Sequence, residues 1–302
     1  MEQQTNYIIF QCYGNEGVFY ECAYALLSLS RLYGGGGPAG TEIWIYTDNP
    51  GWFNILRNPG IQLHFRQIDN DLITKWKGSI DFVHRVKIEV LREFSSHRQG
   101  NILYVDTDVV FTRPIEEMMR NINSGDLYMH VMEGIVSNKA NPVMAKLDAH
   151  LRENTPMKVN GRALWDLAMW NAGVLGFRSQ HRPLLEDVLT FTDTEYPRFS
   201  KHIVEQFAFS VFFRQAGPIK TAAPFITHYW NLKEARIVLA SFFNFFKTKA
   251  WEDLIACGHL VQMPVLMQEK VNFLQNRDIT DKLLKKNWQP AEYDWKDLMS
   301  QL

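Results

Sequence analysis

Asp106 and Asp108 close an apolar run within NILYVDTDVVFTRPI (101–115), and their carboxylates stand one residue apart. Ionised carboxylates are costly to bury unless a cation or hydrogen-bond donors meet them. Side chains alternate along a strand, so Asp106 and Asp108 are expected to point the same way and converge, with Thr107 turned opposite. In parallel α/β sheets ligands collect outside the carboxyl ends of the strands, which is where this pair lies. Hard oxygen donors there suit Mg²⁺ or Mn²⁺, the cation making its remaining bonds to water and ligand phosphates. A second Asp-x-Asp, Asp69 and Asp71, follows a half-wet strand pattern and reads as a solvated turn. An EF-hand loop is excluded, because the position that needs glycine is Phe111.

The elements that must position the pair alternate along the chain. YIIFQC (7–12) reads as a buried strand, CAYALLSLSRL (22–32) as a helix stopped by the glycines at 34–37, and EIWIYTD (42–48) as a second strand. The glycine run itself reads as a flexible surface loop. IQLHFRQI (61–68) alternates apolar and polar, as a strand with one wet face does. Val83, Val86, Val90, Leu91 and Phe94 recur at helical spacing and lead into ILYVD. This order predicts a mostly parallel sheet covered by helices. Further strands are expected at 126–132, 172–177 and 225–230, and helices after Asn141-Pro142 and across 203–213. From about residue 234 the pattern is helical only, which predicts a domain over 1–233 and a helical extension over 234–302.

Composition bounds the function. The chain has 302 residues, 46% hydrophobic, with a formal net charge of −1 and no long basic run. That suffices for one large core and speaks against a nucleic-acid partner. Cys12, Cys22 and Cys257 form no metal spacing and cannot all pair, which suits a reducing compartment. No apolar run resembles a signal peptide or reaches the roughly 18 residues of a spanning helix. A cytoplasmic location is the expectation. Phe242, Phe243, Phe245, Phe246 and Trp251, with Lys247 and Lys249, suit either a helix packed on the sheet domain or a dimer, or one lying in a membrane interface.

Two metal-dependent chemistries end an apolar strand in Asp-x-Asp. ILYVDTDVV resembles the motif of haloacid-dehalogenase-like phosphatases, but two strand-helix units precede it and no Asp-Asp follows it to complete their Mg²⁺ site. Over residues 7–233 the blocks FVHRVKIEVL, YVDTD, WNAGVLGF, EQFAFS and THYWNLK together resemble sugar-nucleotide glycosyltransferases of the GT-A fold. The likeness is nearest to glycosyltransferase family 8, the glycogenin-like and bacterial lipopolysaccharide hexosyltransferases.

That resemblance implies an α/β fold with a mostly parallel central sheet, a UDP-sugar donor, Mn²⁺ or Mg²⁺, and a glycan or lipid-linked acceptor. It makes His228 the third metal ligand, and an imidazole tilts preference toward Mn²⁺. Thr107 would offer its backbone to the ribose, and Tyr13 and Asn15 would hold base and ribose. Arg85 would reach the donor's sugar or phosphates, unless it only pairs with Glu89 at i,i+4; Lys87 reads as a surface residue. Asn171 would bond sugar hydroxyls, Ala172 and Gly173 would let backbone approach the ligand, and Lys233 would meet phosphate. Glu205 and Gln206 would stand beside the reacting carbon, either as a nucleophile with its neighbour or as stabilisers of a retaining transfer. A catalytically silent sugar-nucleotide binder would keep the same metal residues.

Overall fold

The buried strand β1 (Asn6–Cys12) alternates its side chains between two cores. Ile8, Phe10 and Cys12 enter one hydrophobic cluster, while Tyr7 and Ile9 enter the other. The helix α1 (Glu16–Arg31) follows, then β2 (Thr41–Thr47), β3 (Leu63–Gln67), α2 (Asn70–Lys77), α3 (Arg85–His97) and β4 (Asn101–Val105). In β4 the same period of two sends Leu103 and Val105 to the first cluster and Ile102 and Tyr104 to the second. A sheet that is apolar on both faces must be covered on both, and helices do so. This computed structural model describes residues 4–279, 281 and 284–300.

The second half supplies β5 (Val109–Phe111), α4 (Glu116–Asn123), β6 (Leu127–Met129), β7 (Met132–Ile135), α5 (Pro142–Asn154), the short β8 (Lys158–Val159) and β9 (Arg162–Ala163), and β10 (Ala168–Trp170). It continues with β11 (Val174–Arg178), α6 (Arg182–Glu195), α7 (Ile203–Ala216), β12 (Ile219–Thr221) and β13 (Ile226–His228). The main sheet has seven strands in the order β12-β6-β11-β4-β1-β2-β3. Every neighbouring pair is parallel except the two that involve β11. This is the α/β architecture, a mostly parallel central sheet flanked by helices, that the sequence predicts.

From residue 235 the regular elements among the described residues include the helices α8 (Ala235–Phe246), α9 (Trp251–Cys257), α10 (Met263–Asn276) and a short helix Trp295–Ser300. The aromatic side chains of Phe242, Phe243, Phe246 and Trp251 are buried in the cluster that holds α1, so packing on the sheet domain, rather than presentation to a membrane, accounts for them. No described helix is long and apolar enough to cross a membrane.

Local signals explain several boundaries. Asn141 accepts from the backbone N–H of Val143 and Met144, and Pro142 opens α5, as expected. The strand expected over 126–132 is in fact two, because the chain leaves the main sheet after Met129. Val83, expected on the apolar stripe, is exposed and precedes α3. The glycine run is not a free loop: Gly35, at φ +96°, donates to Ser30 O and accepts from Trp251 Nε1. Asp69 caps α2 by accepting from Leu72 N–H at 2.8 Å, so the second Asp-x-Asp is a helix start. Asp69→Ala should therefore cost about 1 kcal/mol of stability in urea unfolding and leave Mn²⁺ binding unchanged. A fall in metal affinity would contradict this assignment.

Candidate metal and sugar-nucleotide site

Four strand ends meet at one point. Asp106 follows β4 and donates its backbone N–H to Gly173 O (2.8 Å), because β11 pairs with β4 in the register that sets Val174 against Val105. Asp108 precedes β5, which pairs antiparallel with β13 so that His228 lies opposite Val109. Tyr229 N–H then reaches Asp108 O at 3.0 Å. The two carboxylates and the imidazole are thereby brought together: one ligand atom from each of Asp106, Asp108 and His228 lies within 4.8 Å of the others.

The tautomer of His228 decides what this cluster can hold. Asn171 Oδ1 accepts from Gly173 N–H at 3.0 Å, which identifies it as the amide oxygen. His228 Nδ1 lies 2.9 Å from the same oxygen and must carry the proton. Nε2 faces Asp108 Oδ1 at 3.0 Å and Asp106 Oδ2 at 3.8 Å. In the neutral ring that nitrogen has only a lone pair to offer, so a divalent cation satisfies all three groups at once. Burial alone would raise the Asp108 carboxyl, but a proton on His228 Nε2 in place of the cation, together with Lys233, outweighs it and holds it well below the usual carboxylate range. Lys233 Nζ stands 2.6 Å from Asp108 Oδ2. Lys233 is thus beside the Asp106–Asp108–His228 cluster and pairs with one of its carboxylates.

Gly173 has a steric reason to be glycine. A Cβ there would lie 2.1 Å from His228 Cε1, because the imidazole packs flat against the backbone of this residue. Gly173→Ala must push the ring away from both carboxylates. We expect at least a tenfold loss of Mn²⁺ affinity by calorimetric titration, with the His228–Asn171 bond broken in the variant's structure. Unchanged affinity would show that the ring does not ligate.

A second cationic centre lies behind the pair. Lys87, expected on the surface, is buried and its Nζ reaches Ala172 O (3.0 Å), Asp106 Oδ1 (3.3 Å) and Glu205 Oε1 (3.4 Å). Burial would lower its ammonium, but Asp106 and Glu205 outweigh this and raise it. Glu205 is 2% exposed; burial pushes its carboxyl up to about 7, Asp106 adds to this and Lys87 opposes it. The sequence did carry a sign of Lys87, since it falls four and seven residues before Leu91 and Phe94 on the apolar stripe.

The other expected residues divide by position. Gln206 accepts from Ala172 N–H at 3.4 Å and donates to Glu133 Oε2 at 2.9 Å, and Asn171 Nδ2 donates to Glu133 Oε1 at 3.1 Å. Glu133 thus joins both amides, although nothing in the sequence singled it out. Thr107 is buried with its hydroxyl 3.4 Å from Glu21, itself held by Arg236 of α8 through two bonds of 2.8 and 2.9 Å. Asn15 caps α1 by accepting from Gly17 N–H, and the Tyr13 hydroxyl is buried with no hydrogen-bond partner, burial pushing it up to about 12. Arg85 is engaged elsewhere: Asp193 takes two of its N–H groups at 2.7 and 3.1 Å, and Glu89 and Trp76 O take others at 2.8 and 2.6 Å. The expected pair with Glu89 is therefore formed, together with partners on a distant helix.

His130 was also unforeseen. It is buried, donates Nε2–H to Ile226 O at 3.1 Å, and stands edge-on to His228 with ring centres 5.5 Å apart. Burial pushes it down to about 4, so the neutral ring braces the strand that carries His228.

No family model and no curated protein matches this sequence. Among solved structures the chain is similar to mouse xyloside xylosyltransferase 1 in its apo form, at 12% identity and a TM-score of 0.49, covering 72% of this chain and 84% of that one. It is similar to the glycosyltransferase GlyE of Streptococcus pneumoniae TIGR4, at 12% identity and 0.47, covering 82% of this chain and 64%, less than two thirds, of that one. A third is the galactosyltransferase LgtC in complex with donor and acceptor sugar analogs, at 12% identity and 0.47, with 78% and 95% covered. None of these likenesses carries a residue's role over to this chain.

Proposed function

We propose that this chain is a metal-dependent glycosyltransferase of the GT-A type, akin to family 8, that moves a hexose from a UDP-sugar to a glycan or lipid-linked acceptor with retention. The observation that carries the reading is the meeting of Asp106, Asp108 and His228 at the carboxyl end of a central parallel strand, with Asn171 fixing the imidazole tautomer. Two carboxylates and one imidazole suit Mn²⁺ better than Mg²⁺, which prefers oxygen donors. When bound, such a cation neutralises the charge that develops on a diphosphate leaving group.

The chain's own residues supply the rest. Thr107 and Tyr13 hold the nucleoside and Asn15 shapes the loop beside it, while Arg85, tied to Asp193, orders the helix that carries Lys87. Lys233 leaves Asp108 for the phosphates. The amides of Asn171 and Gln206 and the backbone at Ala172 and Gly173 orient the hexose. Glu205, kept in place by Lys87, lies beside the reacting sugar. In this division residues 1–233 carry catalysis and 234–302 form an extension whose Arg236 secures Glu21 beside the site, in a cytoplasmic protein.

A dehalogenase-like phosphatase binds Mg²⁺ through oxygens alone, so the imidazole in this cluster speaks against it. The test is a panel of nucleotide sugars with Mn²⁺ or with chelator, reading binding and release of UDP. Metal-dependent UDP-hexose binding with slow hydrolysis is expected, and His228→Ala should raise the Mn²⁺ requirement roughly tenfold or more. Phosphomonoester hydrolysis without UDP-sugar binding would replace this reading with the phosphatase. Binding without any turnover would leave a silent binder.

A further inference from the structure

β7 and β10 pair antiparallel with Ala168 against Ile135, Met169 against Gly134 and Trp170 against Met132, so Glu133 is an extra residue in β7. A bulge of this kind shifts the strand's parity and re-aims one side chain. Glu133 is turned to Asn171 and Gln206, while Met132 and Ile135, normally on opposite faces, line one groove together. The groove holds about 230 Å³ and is walled by these two, Trp170 and Pro218. Met132 is 52% exposed and Ile135 38%, so β7 presents apolar surface to water immediately beside the site.

Its rim is cationic. Arg162 and Arg214 line the groove, are exposed, and have no hydrogen bond or ion pair from their side chains among the described residues. Asp166 shares the rim, so two guanidinium groups stand against one carboxylate. Unpaired guanidinium groups beside an apolar trough match an alkyl chain with an adjoining phosphate. The bulge links the trough to the chain of contacts Glu133–Asn171–His228–Asp108.

We propose that this groove is the acceptor's aglycone site: it takes the alkyl chain and phosphate of an anionic amphiphile whose saccharide end reaches Glu133, Asn171 and Gln206. This choice of the lipid-linked acceptor rests on the transferase reading above.

The test needs neither metal nor donor. Full-length protein in chelator is titrated by calorimetry with monomeric n-octyl phosphate, n-octyl β-glucoside and inorganic phosphate. Octyl phosphate should bind saturably, octyl glucoside roughly tenfold more weakly or less, and inorganic phosphate undetectably. Arg162→Ala with Arg214→Ala should bring octyl phosphate down to the level of octyl glucoside. Met132→Asp, and independently Ile135→Glu, should remove binding of both, with thermal midpoints kept near wild type as the control on folding. Absence of saturable octyl phosphate binding overturns the proposal. So do octyl phosphate affinities unchanged in the arginine and apolar variants, or inorganic phosphate binding as tightly as octyl phosphate. Mn²⁺-dependent UDP binding is measured separately on wild type. Its failure removes the transferase reading, whereas failure of the octyl phosphate titration alone removes only the groove.

Discussion

Asp108→Ala is expected to abolish Mn²⁺-dependent UDP binding, a loss of at least about a hundredfold, since removing even an outer partner of a metal ligand costs 10- to 100-fold. Asp108 is the better of the two carboxylates for this experiment, because it contacts both His228 Nε2 and Lys233 Nζ. The variant also loses stability. A carboxyl held below its usual range stabilises the fold above its unfolded value, and that contribution disappears as pH falls through the folded one. The stability deficit of Asp108→Ala should therefore be full at neutral pH and vanish in strong acid. Asp108→Asn keeps the shape and separates loss of the ligand from loss of packing. UDP binding that survives in chelator, or an Asp108→Asn protein with wild-type Mn²⁺ affinity, would remove the metal site.

Lys87→Met should produce the largest loss of stability, about 3–5 kcal/mol near pH 8, because it leaves two carboxylates facing an uncompensated buried space. The lysine lies between Asp106 and Glu205, and both depend on it. In the wild type the Glu205 carboxyl is raised from its ordinary value to about 7. A raised carboxyl pKa means that the folded state holds a proton the unfolded chain has released, so this group's contribution falls as pH rises from the unfolded to the folded value. Without Lys87, which opposes the rise, the folded value climbs further and the window widens. Urea unfolding should show a deficit that is level from pH 5 to about 7, where Glu205 holds its proton in both folded proteins, and that grows by up to about 1.4 kcal/mol per pH unit from pH 7 toward pH 8, where only the variant holds it. A deficit equal at both pH values, or larger at pH 5, would mean that Lys87 and Glu205 are not coupled as the distances indicate. On the transferase reading, Mn²⁺-dependent UDP binding and UDP-hexose turnover should both fall in the same variant, because Lys87 contacts Asp106 of the candidate metal cluster as well as Glu205.

The sequence by itself determined the sheet core and the carboxylate pair. Period-two alternation in Ile8, Ile9 and Phe10, and again in Ile102, Leu103 and Tyr104, is a property of adjacent residues, and local steric rules turn it into strands whatever lies elsewhere. The same holds for Asn141-Pro142 at the start of α5 and for the Asp106-x-Asp108 spacing at a strand's end. Residue types in order also marked Asn171, Glu205 and His228 as worth watching, though not what each touches.

Only the tertiary structure decided their partners. His228 reaches Asp108 across 120 residues of chain because β13 pairs with β5. Gly173 must be small because that pairing lays an imidazole on it. Lys87 looked like a solvated lysine, since a helix pattern does not say which charged residue will face a carboxylate supplied by another strand. Arg85, two positions away, was drawn off to Asp193 on α6, a helix the periodicity did not announce. Glu133 was invisible because a bulge depends on the register of two strands, and a single sequence does not contain the register. Local conformation is set by neighbours a few residues apart, whereas a site is made of long-range pairings, and the physical forces that select those act only once the sheet has formed.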